Sequence, residues 1–330
     1  MNGPGFPATI DRLPILILYP HSRCNCRCVM CDIWKTDAVQ EIRAEELERH
    51  VADIERLQTR WVVFSGGEPL MHSDLFRLAA TLRQGGVRTT LLSTGLLLER
   101  HAQRIADNLD DVIVSLDGPA EVHNHIRRVP RAYELLAAGV AAVKARDGGF
   151  PMAARSTVQR LNHQHLRETV AAAKELGLQS ISFLAADVTS TAFNRAQVWP
   201  PDRQREVALT RDEIPALESE IEALIEAADP FVLEGPEKLR RIVRHFRAQL
   251  GLETFHAPRC NAPWVSAVVE SDGTVRPCFF HPPIGNVHQH SLEEVVNGRD
   301  AVQFRKQLDI SEDPTCRRCV CSLYLEPALS

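Results

Sequence analysis

An α/β fold with parallel strands is predicted by three features of this 330-residue sequence. Short aliphatic and β-branched runs recur. A stretch of helical periodicity separates each from the next, and glycine pairs stop two of those stretches before the following strand begins. The first run is "LPILILY" (13–19). "WVVFS" (61–65) follows the charged helical stretch "RAEELERHVADIERLQ" (43–58), and "RTTLLS" (88–93) follows a helix closed by Gly85–Gly86. "DVIVSLD" (111–117), "PMAARSTV" (151–158) and "SISFLAA" (180–186) complete the series. Strands that alternate with helices pair in parallel through right-handed crossovers. Six such units make either an open doubly wound sheet or a partial barrel, and periodicity does not separate the two. In both, ligands gather at the C-terminal ends of the strands. Those ends carry the unusual residues here: cysteines after the first strand, "GGEP" after the second, "TG" after the third and "SLDG" closing the fourth.

Beyond about residue 187 the alternation stops. "DVTSTAFNRAQVWPPDRQ" (187–204) reads as loop, with Pro200–Pro201 opposing a helix. "TRDEIPALESEIEALIEAAD" (210–229) reads as a helix opened by a Thr210/Glu213 capping box. "KLRRIVRHFR" (238–247) places Leu239, Ile242, Val243 and Phe246 at helical spacing, so its basic residues form the solvated face of an amphipathic helix. The expected division is a core over 13–187, a helical linker and substrate-shaping segment over 188–250, and a cysteine-rich region over 251–330.

Hydrophobic residues make up 44% and charged residues 25%, with a formal net charge of −5. That balance is globular and gives no pull toward nucleic acid. "LPILILY" falls far short of the roughly 20 apolar residues a spanning helix needs. It also lacks the basic flank and cleavage site of a secretory signal. A cytoplasmic location is expected, with no membrane partner. Cysteines stay reduced there, and clustered ones serve as metal ligands more often than as disulfides.

Four of the nine cysteines lie within "HSRCNCRCVMC" (21–31). A structural zinc site needs four closed ligands, and the Cys24, Cys26, Cys28 alternation is an odd frame for one. The subset Cys24-x3-Cys28-x2-Cys31 provides three thiolates on one loop, enough to hold three corners of a 4Fe–4S cube with one iron left open. Spacing alone leaves zinc and iron–sulfur both standing, with iron–sulfur favoured.

The same subset resembles the signature of the radical S-adenosylmethionine (radical SAM) superfamily. "SGGEP" (65–69) stands where that family has its methionine-binding loop, and "STG" (93–95) and "VSLDG" (114–118) match in type and order. The resemblance covers about residues 13–187 and implies a partial (β/α)6 TIM barrel. It implies a cluster on Cys24, Cys28 and Cys31, with Cys26 outside the frame. It also implies S-adenosylmethionine bound through Gly66, Gly67, Glu68, Thr94, Ser115 and Asp117. Glycines allow close backbone approach to the amino group, Glu68 accepts from it, and Ser115 and Asp117 suit the ribose hydroxyls. Reductive cleavage of the cofactor would then give a 5′-deoxyadenosyl radical that takes a substrate hydrogen.

The other five cysteines are Cys260, Cys278, Cys316, Cys319 and Cys321. "VVESDGTVRPC" (268–278) reads as a hairpin with an Asp-Gly turn, facing the pair Cys316-x2-Cys319. Zinc and iron–sulfur are evenly matched on spacing. Cys260-x12-Gly273-x4-Cys278 followed by Cys-x2-Cys resembles the SPASM auxiliary-cluster extension, more closely its shortened Twitch form. That implies a second 4Fe–4S cluster on Cys260, Cys278, Cys316 and Cys319, with Cys321 as an alternative ligand and electron transfer as its role.

The implied enzyme oxidises a small polar metabolite of sugar, cyclitol or nucleotide type. It passes an electron to the auxiliary cluster and draws electrons from flavodoxin or ferredoxin. A base is needed near the substrate carbon. Arg155 on the fifth strand is a catalytic candidate by position, while His163, His165 and His281 read as loop histidines. The alternatives are a radical SAM peptide maturase, which the short segment before Cys24 argues against, and a non-catalytic zinc or iron–sulfur module. The molybdopterin-forming relative of the Twitch group ends in a Gly-Gly tail, whereas "LEPALS" closes this sequence.

Overall fold

The computed structural model describes residues 6–326, so the last four residues of the "LEPALS" tail lie outside it. Six parallel-type strands form where the aliphatic runs predict them: β1 (Ile15–Leu18), β2 (Trp61–Phe64), β3 (Arg88–Ser93), β4 (Asp111–Ser115), β5 (Met152–Val158) and β6 (Ile181–Ala185). Three more follow in the cysteine-rich region: β7 (Ser266–Val269), β8 (Thr274–Arg276) and β9 (Gly285–Asn286). The described residues fall into two compact units, neither continuous in sequence. The protein is a mixed α/β chain built on parallel strands, with a cysteine-rich domain at its C-terminal end.

The first unit combines residues up to Arg23, 37–91 and 256 onward. Its sheet centres on β1, which pairs in parallel with β2 on one side (Ile15↔Trp61 to Leu18↔Phe64) and with β7 on the other (Ile15↔Ser266 to Leu18↔Val269). β2 pairs in parallel with β3, and β7 continues antiparallel into β8 and β9. Central parallel strands are buried on both faces and therefore read as unbroken apolar runs. "ILIL", "WVVF" and "SAVV" are such runs. The hairpin predicted at 268–278 forms, with Val268↔Arg276 and Val269↔Val275 in register. Its parallel pairing with β1 was not anticipated from the sequence.

The second unit comprises 24–36 and 92–255. Here β4, β5 and β6 pair in parallel (Val112↔Met152, Ala154↔Ile181). β5 shows why one face is available for chemistry. Met152, Ala154, Ser156 and Val158 are buried, while Ala153, Arg155 and Thr157 are half-buried on the opposite face. Helices Leu98–Asn108 and Ala132–Arg146 pack closely at Gly139, where a Cβ would lie 2.6 Å from that of Leu98. The Thr210/Glu213 capping box is present and leads into helix Ile214–Ala227. Helix Pro236–Gln249 buries Leu239, Ile242, Val243 and Phe246, as the amphipathic pattern requires. One expectation fails: a short helix, Pro201–Arg205, forms at the proline pair. Pro201 occupies its first turn, where a missing N–H costs nothing. Among the described residues no helix is long and apolar enough to cross a membrane.

Candidate functional site

The cysteine loop of the second unit is held from several directions. Arg27 N–H donates to Arg127 O (3.1 Å) and Val29 N–H to Ile126 O (3.0 Å), so the loop runs along the end of helix Ala120–Arg127. Thr94 Oγ1 donates to Asn25 Oδ1 at 2.9 Å. The segment that follows β6 packs on the loop as well. Trp199 Nε1 donates to Asp32 Oδ2 (2.7 Å), Arg195 Nη2 to Met30 O (3.2 Å), and Arg203 to Val29 O. Arg195 and Arg203 both stack on Trp199, with guanidinium carbons 3.9 and 4.4 Å from the ring. Val29, Ala186, Val188, Trp199 and Val207 form a buried apolar cluster under this strap.

Within the loop, Cys28 is buried, whereas Cys24 and Cys31 are half-buried. The Cys28 thiol is drawn down to about 7, first by a hydrogen bond from Cys26 and further by Arg127, against burial. Cys26, fully buried, is held well above the usual thiol range by that same bond, so it remains an S–H donor. Cys31 is pushed up to about 12 by burial and by the neighbouring Cys28 charge. Cys28 is thus readied as a thiolate, the form that ligates iron, and a bound cation would relieve the repulsion that its charge exerts on Cys31. The three loop cysteines therefore suit an iron–sulfur cluster.

Asp117 lies at the C-terminal end of β4 and is fully buried. Its Oδ2 pairs with Arg127 Nη2 at 2.5 Å, and its Oδ1 accepts from Thr157 N–H at 2.9 Å. Arg127 Nη1 also reaches Cys28 Sγ at 3.6 Å, which joins Asp117, Arg127 and Cys28 into one buried chain. Reaching a ribose would require Asp117 to leave that pair, whereas Ser115, two residues earlier, is half-exposed. Strand register sets Ser115 beside Arg155 and Arg155 beside Ser182, and Arg155 Nε donates to Ser182 Oγ at 3.2 Å. Two hydroxyls thus flank one guanidinium across β4, β5 and β6. Val232 bridges to Ile181 at the edge of β6 and brings in Glu234, whose carboxylate accepts from Phe183 N–H at 2.9 Å. Burial raises its pKa, partly offset by that N–H and by the nearby Arg155 charge.

In the first unit, Gly66 has φ +93°, and a Cβ there would lie 2.7 Å from Tyr19 Cγ, so only glycine fits. Gly67 follows it in the same turn after β2. Glu68 is fully buried; its N–H donates to Arg23 O (2.9 Å) and its Oε1 accepts from Leu70 N–H (3.0 Å).

The C-terminal cysteines also come together within this unit. Cys278 is pushed up to about 12 by burial, with the charges of Cys260 and Cys321 adding to it. Burial raises Cys316 and Cys319 too, and Cys278 and Cys260 charges reinforce both. Cys319 Sγ donates to Cys321 O, and Cys321 itself is exposed. Cys260 before the hairpin, Cys278 after it and the Cys316-x2-Cys319 turn together match the ligand count of a cubane cluster. His281, which reads as a loop histidine in the sequence, is buried beside Cys316, with Nε2 3.4 Å from Sγ. The Cys278-x2-His281 spacing was the available signal for it. His163 instead bonds Arg160 O, and His165 bonds Glu168.

Comparison with known proteins agrees with this layout. Residues 18–173 match the radical SAM superfamily, and residues 260–320 match SPASM, an iron–sulfur cluster-binding domain. The AdoMet-dependent heme synthase of Methanosarcina barkeri is 27% identical over 303 residues, spanning 88% of this chain and 83% of that protein. The PqqA peptide cyclase of Rhizobium meliloti is 25% identical over 327 residues, 95% of this chain and 80% of the relative. Streptococcus suis SuiB, solved with its precursor peptide SuiA, shares the fold at 13% identity with a TM-score of 0.65, covering 96% of this chain and 73% of SuiB. With its three-cysteine loop inside one match and its four-cysteine group inside the other, the chain belongs to the radical SAM superfamily, as an enzyme with a C-terminal SPASM domain.

Proposed function

We propose that the chain is a radical SAM oxidoreductase acting on a small, polar, anionic molecule. It would use two 4Fe–4S clusters, held by Cys24, Cys28 and Cys31 and by Cys260, Cys278, Cys316 and Cys319. When bound, the clusters and S-adenosylmethionine supply hydrogen-atom abstraction and an acceptor for the second electron. Arg127 keeps a positive charge beside Cys28, and Asp117 fixes that charge in place. The observation that carries the substrate reading is the row Ser115, Arg155 and Ser182 across β4–β6, in which Ser115 and Arg155 are half-buried and Ser182 is buried. A guanidinium is protonated at any working pH and offers a planar fork that matches carboxylate or phosphate. Arg155 therefore holds substrate rather than taking a proton. Glu234, raised by burial and in the field of Arg155, would be the carboxylate that accepts one. The heme-synthase relative, aligned over most of both chains, supports a small substrate. The PqqA peptide cyclase alignment, as long or longer, supports the second reading, a peptide substrate.

Under strong reductant the reconstituted protein is expected to contain about eight iron per chain and to form 5′-deoxyadenosine. Cys28→Ala should abolish that product. A nucleotide or a carboxylated tetrapyrrole should raise the rate, and Arg155→Met should remove the increase while leaving basal cleavage. Stimulation by a peptide alone would favour the second reading, and zinc in place of iron would sink both.

A further inference from the structure

We propose that His281 is a positioning residue of the auxiliary cluster, donating a hydrogen bond from Nε2 to the sulfur of Cys316 and so raising the cluster's reduction potential. The proposal rests on the reading of Cys316 as a cluster ligand.

Three observations lead to it. The imidazole is placed and held on several sides. His281 is buried, its N–H donates to Cys278 O (3.2 Å), its carbonyl accepts from Arg276 Nη1 (3.1 Å), and its ring meets Phe304 edge-on at 4.9 Å. Among the described residues its Nε2 then faces two acceptors and no donor: Cys316 Sγ at 3.4 Å and Asp313 Oδ1 at 3.9 Å. A ring nitrogen between two acceptors carries the hydrogen, and the sulfur is the closer partner. Asp313, finally, already accepts from the N–H groups of Thr315 (2.9 Å) and Cys316 (2.8 Å). It shapes the turn that presents Cys316, and it leaves the imidazole proton to the sulfur. The ligand atoms of His281, Asp313 and Cys316 all lie within 4.8 Å of one another.

Four cysteines satisfy a cubane by themselves, so a histidine at hydrogen-bond distance from one of their sulfurs acts on the metal through that sulfur. Hydrogen bonds to cluster sulfur favour the more negative, reduced state and raise the potential. A histidine donor here would help the auxiliary cluster accept an electron from the substrate.

The test is redox titration of the auxiliary cluster followed by electron paramagnetic resonance, with iron content measured alongside. His281→Leu removes the donor. His281→Gln keeps an N–H near the Nε2 position. The expected result is full iron in both variants, a lower midpoint potential for His281→Leu, and recovery toward the native potential in His281→Gln. Equal potentials in the native protein and His281→Leu would overturn the inference. So would loss of about half the iron in both variants, which would mark His281 as a ligand. A native protein that binds only one cluster would instead overturn the reading of Cys316, which the iron count reports separately.

Discussion

At the scale of single residues, the chain Asp117–Arg127–Cys28 has the largest consequences. Arg127 and Asp117 are both almost wholly out of water. Two charges buried together cost a great deal if one is removed, because the other is left without a partner. Arg127→Met is therefore expected to lower unfolding free energy by about 3–5 kcal/mol, read from denaturant titration, and to weaken iron retention at the first cysteine group. The double variant Arg127→Met/Asp117→Leu should recover much of the stability but not the iron. Gly66→Ala should weaken S-adenosylmethionine binding, measured by equilibrium dialysis, because the new methyl group meets Tyr19. The cysteine grouping and the turn at Gly66 are legible in the sequence because close spacing and turn glycines leave a local signature. Arg127 was not legible: nothing near it in sequence shows that its partners are Asp117 and Cys28.

Secondary-structure elements explain how the site is kept rigid and where pH acts. His245, on helix Pro236–Gln249, is lowered from 6.5 to about 4, chiefly by burial, with Asp187 opposing the shift. In the unfolded chain it protonates near 6.5, so between 6.5 and 4 the unfolded state binds more protons and stability falls as pH falls. His123, also lowered well below 6.5 by burial, adds in the same direction. The expected loss from His245 is about 3 kcal/mol between those limits, and His245→Gln should flatten the curve of melting temperature against pH. The strap after β6 matters in another way. Trp199→Ala should cost about 3–5 kcal/mol, and it should speed iron loss to a chelator because Arg195 and Arg203 lose the ring on which they stack. The six strands and the Thr210 capping box could be read in advance because periodicity and caps are local. The strap reads as loop because it is tied down through backbone carbonyls of Val29 and Met30, which no side-chain pattern encodes.

For the whole molecule, the feature least visible in the sequence is the pairing of β1 with β7. Parallel register between segments so far apart has no local signature, even though "ILIL" and "SAVV" are each plainly strands. The pairing predicts that a chain cut after residue 255 will be far less soluble than the full chain, as sedimentation after expression would show. It also gives biosynthesis a timetable. Ile15–Leu18 is synthesised well before Ser266–Val269, and until the later segment is made one of its two edges has no neighbour. At ribosomal speeds of roughly 5–20 residues per second, an aliphatic strand stays open to other chains for about 12–50 s. The nascent chain needs shielding over that interval, because β1 gains its second neighbour only when Ser266–Val269 is made.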